Sequence, residues 1–299
     1  MGNLFRPKKT QRPESLALVY HATFEEPPAD LKLGLHNVPP RTLREQLVAV
    51  QKHYRFVEID QYLSAKSRSG WALLTFDDAY RCVFEQALPI LEDLEIPCAM
   101  FVNGTTLEGK TLWRDRVRFI INHGLVDHWE RFRTRTRRLD GEDFYRYTKN
   151  PCNRSDIVDE ELNAFLTQRG LLDQIPRYCV SDRSELPDHP LITYGNHTHD
   201  HYVLASLPPD LVQHQVKATK RVLDGLAGLN KTRALSVPFG DPPTYNTRLL
   251  EVAAGCGCSC LLLTGSSHKH SETRRRKANC IFRHMPFADT WKDQLHTWN

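Results

Sequence analysis

Short apolar runs alternate along this chain with stretches whose apolar positions fall three or four apart. "LALVYH" (16–21), "WALLTFDD" (71–78) and "PCAMFVN" (97–103) are continuous runs of strand length, the pattern expected of strands buried on both faces. Between them, 40–54 carries Leu43, Leu47 and Val50 on one helical side, and 79–95 repeats Val83, Ala87, Ile90 and Leu94, with Pro89 expected to kink it. The rhythm resumes with strands at 189–196, 233–240 and 258–264 and helices at 209–228 and 245–255. Alternation in this order predicts an α/β fold with a parallel sheet or barrel, whose chemistry would sit at the C-terminal ends of the strands.

About 85 residues with helical patterning and few strand signals separate the strands at 97–103 and 189–196. Residues 105–188 are therefore read as a mostly helical insertion within a single domain spanning 1–299, placed where it could shape a substrate site. The composition is that of an ordinary globular protein, 40% hydrophobic and 25% charged, with no stretch near the roughly 20 apolar residues a membrane-spanning helix needs. No secretory pattern is legible at the N-terminus, so the reading is a cytoplasmic protein whose eight cysteines are reduced. "CGCSC" would put Cys256, Cys258 and Cys260 on one face of a strand; a buried, inert face is preferred there to a metal or redox cluster.

Charge adds one local feature. The net +4 is matched by the segment Trp113–Asn150 alone, with ten Arg or Lys against six acids. Its core, "ERFRTRTRRLD" (130–140), is either a solvated helix face or a site for an anion such as a phosphate or an acidic sugar. Nucleic-acid binding through the same run is not expected.

Two places carry candidate chemistry. "TFDD" ends a strand on Asp77 and Asp78, which point to opposite sides of an extended chain; one could serve a metal and the other act as a base, unless the pair merely caps the following helix. "GNHTHDHYVL" (195–204) holds three histidines. Read as the start of a helix, it places His197 and His201 one turn apart and turns His199 away; a capping cluster is the other reading. Two imidazoles and a carboxylate would form an open three-ligand metal site suited to hydrolysis of an amide or ester.

In order, "LLTFDDAY", "YGNHTHDHYVL" and "SVPFG" resemble the three main motifs of polysaccharide deacetylases, carbohydrate esterase family 4, whose shared part is the NodB-homology domain. The resemblance covers roughly 16–264, less the insertion. It implies a distorted (β/α)7 barrel, Asp77 as catalytic base, and Asp78, His197 and His201 as ligands of one divalent metal, zinc by default, with cobalt, nickel or iron also accepted by such ligands. It further implies Tyr80 and Phe239 as the places that mark oxyanion or substrate contacts.

Two departures stand out. Where many members have an Arg that restrains the base, this chain has Ser236, and Arg283 in "IFRHMPF" is a candidate to replace it. A late Leu-x-His motif that would give the general acid has no clear copy. The chain looks closer to the branch in which the first strand ends in a Tyr-His pair, here Tyr20 and His21, with His21 as the acid; His268, His270 and His284 are the other candidates. Trp113 is similar to a substrate-contacting Trp of surface-sugar deacetylases.

The function implied is a metal-dependent hydrolase removing an N-acyl group, most simply acetyl, from an amino sugar, free or phosphate- or nucleotide-linked. A deformylase or other linear-amide hydrolase on the same site is the near alternative. A non-catalytic sugar-binding protein that keeps the barrel is the alternative from another class.

Overall fold

The structure, a computed structural model, describes residues 13–139, 141–265 and 279–291. The strands are β1 (Leu16–Tyr20), β2 (Arg55–Phe56), β3 (Trp71–Asp77), β4 (Cys98–Val102), β5 (Ile192–Asn196), β6 (Lys231–Ser236), β7 (Cys260–Thr264) and β8 (Cys280–Arg283). Seven of them pair in parallel in the order β1-β3-β4-β5-β6-β7-β8, while β2 adds two residues to one edge of β3. β8 returns to β1: the Val19 amide donates to the His284 carbonyl at 2.9 Å, and the His284 amide to the Ala17 carbonyl at 2.7 Å. The result is a distorted (β/α)7 barrel, with an irregular register between β5 and β6.

The period-two alternation of the strands sorts the interior into two levels. Toward the N-terminal ends of the strands, Ala17, Leu73, Ala99, Ala234, Cys260 and Ile281 form a dry cluster closed below by Ile59 and Tyr62. Two residues further along three of those strands, the inward positions turn polar: Thr75 then Asp77 follow Leu73, Ser236 follows Ala234, and Arg283 follows Ile281. These groups are buried and bond one another, which is what burial of polar atoms requires.

The outward faces pack under helices, including α1 (Pro40–Gln51), which buries Leu43, Leu47 and Val50 as its spacing predicts. The helix after β3 departs from expectation. It runs as a π-turn, Val83–Ala87, into a short α-helix, Leu88–Asp93, because Pro89 offers no N–H to the Glu85 carbonyl and the ladder shifts by one residue upstream.

Between β4 and β5 the helices include Trp113–Asn122, Phe144–Tyr147 and Ser155–Gln168. They do not stand apart from the barrel. Trp113, Val117, Trp129, Phe165 and Leu166 share one apolar cluster with Tyr202, Leu235, Leu250 and Leu261.

Two local expectations fail. "HTHDH" is not helical: residues 197–203 form an irregular loop, with Thr198 and His201 at positive φ (65° and 58°). "CGCSC" is not a strand either, since Cys256 ends the helix Thr247–Gly255, Gly257 turns the chain at φ 91°, and only Cys260 lies on β7. All eight cysteines are free thiols, and burial raises the pKa of Cys258 and Cys260 to about 12.

Candidate metal centre and active site

Asp77 is the last residue of β3 and faces the barrel interior; Asp78 follows at φ 69°, a left-handed conformation that swings its carboxyl out of the strand register. Their surroundings differ completely. Both Asp77 oxygens are occupied: Arg283 donates Nη1 to Oδ1 at 2.9 Å and Nη2 to Oδ2 at 2.8 Å, and the Ser236 hydroxyl donates to Oδ2 at 3.0 Å. Arg283 is itself fixed by Thr75 Oγ1 (3.0 Å) and Ser236 Oγ (2.7 Å), and its guanidinium carbon lies 5.8 Å from the Phe101 ring centroid. Gly195 makes that arrangement feasible, because a Cβ there would overlap Phe101. Burial alone would raise the Asp77 pKa, but Arg283 and His197 outweigh it and hold the carboxyl well below the usual range.

Asp78 Oδ1, by contrast, is buried without a hydrogen-bond partner. It lies 3.5 Å from His197 Nε2 and 3.6 Å from His201 Nε2. His197 donates Nδ1–H to the Ser236 carbonyl at 2.9 Å, which leaves its buried Nε2 as an unpartnered lone pair. The three ligand atoms lie within 4.8 Å of one another. Donors about 2.1 Å from a tetrahedral ion stand roughly 3.4 Å apart, so these spacings fit a divalent ion such as zinc. Burial, only partly offset by His197, pushes the Asp78 carboxyl up to about 6.

The histidine pair is placed by tethers along its loop. The His197 amide donates to the Val102 carbonyl at 2.9 Å, and Asn103 Nδ2 to the His197 carbonyl at 2.9 Å. Gln215 exchanges two bonds with Asp200 (2.8 and 2.6 Å), and Trp113 Nε1 donates to the His201 carbonyl at 2.9 Å. His199 points away and packs on the backbone of Gly104. Trp113 is 1% exposed and does not line the cavity; it touches the site through that bond and through Arg114, whose guanidinium lies 4.7 Å from its ring centroid, whereas Tyr80 and Phe239 line the cavity.

His21 follows the end of β1 and opens onto the same cavity. Its Nδ1 lies 3.3 Å from His36 Nδ1, and His36 Nε2 lies 2.6 Å from the Pro286 carbonyl. A carbonyl only accepts, so His36 carries its proton on Nε2, its Nδ1 accepts from His21 Nδ1–H, and the lone pair of neutral His21 is left on Nε2. Burial lowers both pKa values, His21 to about 3 and His36 to about 4. His36 has no counterpart in the sequence reading; "GLHNVPP" gives no period or motif that would single it out. His268 and His270 lie outside the described residues, and His284 is engaged through its backbone in closing the barrel.

The cavity above these groups has a volume of about 460 Å³, within the range of small-ligand sites. The insertion contributes Leu112, Arg114, Arg118, Tyr145 and Lys149 to its wall. None of the arginines of "ERFRTRTRR" lines it. Instead, Arg133 and Arg138 pair with Glu130, and Arg135 with Glu160.

The polysaccharide deacetylase family profile matches residues 65–130 and 181–261, and the gap between the two falls inside the helical insertion. No curated protein matches the sequence. Among solved structures, the chain is similar to the Streptococcus pyogenes deacetylase PplD in complex with acetate (17% identity, TM-score 0.54, 97% of this chain and 100% of that one). It is also similar to IcaB from Ammonifex degensii (18% identity, TM-score 0.56, 96% and 97%). A de-N-acetylase from Aggregatibacter actinomycetemcomitans matches at 10% identity and TM-score 0.59, over 95% of this chain and 99% of that one. At these identities the structural likeness establishes the barrel. The profile match, which takes in both the Asp77-Asp78 and the His197-His201 segments, agrees with the metal-site geometry, and the chain belongs to the polysaccharide deacetylase family.

Proposed function

We propose that this chain is a metal-dependent hydrolase that removes an N-acyl group, acetyl in the first instance, from an amino sugar or amino-sugar conjugate. One observation carries the reading. Asp78 Oδ1 and His197 Nε2, both buried without a hydrogen-bond partner, meet His201 Nε2 beside a carboxylate whose oxygens are both already bonded, at a cavity lined by Asp77, Asp78 and His201 and large enough for a sugar. Asp78, His197 and His201 would hold the ion, zinc being the default for two imidazoles and a carboxylate. When bound, such an ion polarises a carbonyl and lowers the pKa of water.

The chain's own groups account for the protons. Asp77, kept ionised and fixed in orientation by Arg283 and Ser236, takes the proton released as the water oxygen joins the acyl carbon. The C–N bond then breaks, and the amine leaves with a proton delivered by His21 through Nε2. Because burial favours neutral His21, the proton it gives the amine is the one Asp77 took from the water, passed to His21 Nε2 before the C–N bond breaks. His36 holds the His21 ring in the orientation this transfer requires. Tyr80 and Phe239 flank the acyl end of the cavity as substrate or oxyanion contacts, and Trp113 acts by fixing the His201 backbone.

The test combines metal content with acyl release. Purified protein should bind one divalent ion per chain and release acetate from an N-acetylated amino sugar, free or phosphate-linked; chelator and His197→Ala should each abolish release. Formate in place of acetate would assign the same site to deformylation. Failure of reconstituted wild type to bind metal, with sugar binding equal in wild type and His197→Ala, would overturn the catalytic reading.

A further inference from the structure

The cavity wall contributed by the insertion carries Arg114 and Lys149, two cations that form no ion pair among the described residues. Arg114 is 3% exposed; its Nη1 donates to Thr148 Oγ1 and its Nη2 to the Tyr145 carbonyl, both at 2.9 Å. Its Nε is buried and unpartnered, and among the described residues Arg114 forms no ion pair. The guanidinium lies over the Tyr145 and Trp113 rings, 4.1 and 4.7 Å from their centroids, while Asp115, bonded to Arg118, acts on it only from a distance.

Lys149 is placed in the same way, 5.7 Å from the Tyr145 centroid and 5.5 Å from that of Phe239, with no ion pair among the described residues. Asp241, on the cavity rim, is the acid that acts on it electrostatically, and Arg114 repels it. Arg118, the third cation on this wall, is already matched by Asp115 at 2.8 Å. Two cations that repel each other therefore share one cavity, Arg114 held by rings and neutral acceptors and Lys149 between two rings, where burial makes an unmatched charge costly.

We infer that Arg114 and Lys149 form an anion subsite, and that the substrate is an acylated amino sugar bearing a negatively charged substituent, phosphoryl or carboxylate, rather than a neutral saccharide. This rests on the carbohydrate reading of the cavity above, but the subsite stands on residues that reading does not use. An anion held between the Arg114 fork and the Lys149 ammonium supplies the missing counter-charge, and it orients the sugar by pinning its charged substituent. The positive segment noticed in the sequence thus acts through its ends, positions 114 and 149, and not through its arginine-rich middle.

Equilibrium binding to full-length protein under chelator tests this without metal-bound phosphate and without catalysis. The probes are N-acetylglucosamine, its 1-phosphate, the corresponding uronic acid and inorganic phosphate. At low salt, at least one charged sugar should bind tenfold or more tightly than the neutral one, and the preference should fall below threefold in Lys149→Gln. Arg114→Gln, checked for its melting temperature, should act the same way; Arg131→Gln, outside the cavity, should leave the preference unchanged. Which charged sugar wins separates phosphoryl from carboxylate. If no sugar binds, saturable binding of inorganic phosphate that Lys149→Gln abolishes sustains the anion site. Equal binding of charged and neutral sugars, a preference that survives Lys149→Gln, or no binding of any probe overturns it. Absence of acyl release from metal-loaded protein, with the charge preference intact, would count against the deacetylase reading and leave the subsite standing.

Discussion

The Asp77–Arg283 pair can be tested as a pair. Arg283 is fully buried and Asp77 nearly so (0% and 3% exposed), and four hydrogen bonds fix the guanidinium. Arg283→Met leaves an ionised carboxylate without its cation, and Asp77→Asn leaves a buried guanidinium without its anion. Breaking a buried pair from one side costs about 3–5 kcal/mol. The double variant removes both charges, so the unmatched-charge penalty that each single variant incurs disappears. The double-mutant cycle should therefore show a favourable coupling of about 2–3 kcal/mol, the upper part of the range for residues in one network.

Urea denaturation under chelator is the assay, because bound metal would add its own stabilisation to the folded state. Additivity of the two single changes within about 0.5 kcal/mol would refute the pairing as a source of stability. A second arm reads the chemistry. Arg283→Lys keeps the charge but cannot present two parallel donors, and loss of one charge-assisted bond is worth about 1.5–3 kcal/mol. If orientation of Asp77 matters in the transition state, kcat falls roughly 10- to 150-fold with metal content unchanged. Unaltered kcat in Arg283→Lys would remove Arg283 from the mechanism.

Other expectations follow from single contacts. His36→Ala should lower kcat by about tenfold or more while leaving metal content and KM close to wild type, because it releases the His21 ring without touching a ligand; unchanged turnover would sink the relay. Gly104→Ala should lower metal affinity and cost about 1–3 kcal/mol, since its Cβ would overlap the His199 ring in the loop that carries both histidine ligands. Gly255→Ala, which meets nothing, should cost no stability, and equal effects of the two substitutions would refute the packing argument. Thiol titration of the native protein should find one fast cysteine, Cys152, the exposed one; a second fast thiol would contradict the placement of Cys258 and Cys280, whose pKa values burial raises to about 12 and 11.

The strands that build the barrel were legible because burial on both faces leaves an unbroken apolar run, as in "WALLTFDD". β2 and β8 were not: two residues show no period, and β8 is interrupted by Arg283, the residue that matters most in it. The structure does bring His197 and His201 together beside Asp78, but not by the helical geometry the spacing suggested. Helical spacing suggested neighbours one turn apart, whereas positive φ at Thr198 and His201 and side-chain tethers from Asn103, Gln215 and Trp113 bring them together. Those tethers come from positions up to about 95 residues away, beyond the reach of any local pattern.

Ser236 illustrates the same limit from the other side. At the sequence level it reads as a missing arginine, a loss at the position where the family restrains its base. In the barrel it faces the interior at the same level as Arg283, one strand away across β7, and its small hydroxyl bonds both members of the Asp77–Arg283 pair. Ser236 and Arg283 are both fully buried beside Asp77, so a long side chain at 236 would compete with Arg283 for one volume. The serine is therefore what an arginine arriving from β8 requires, and Ser236 and Arg283 together amount to one change in which strand supplies the cation.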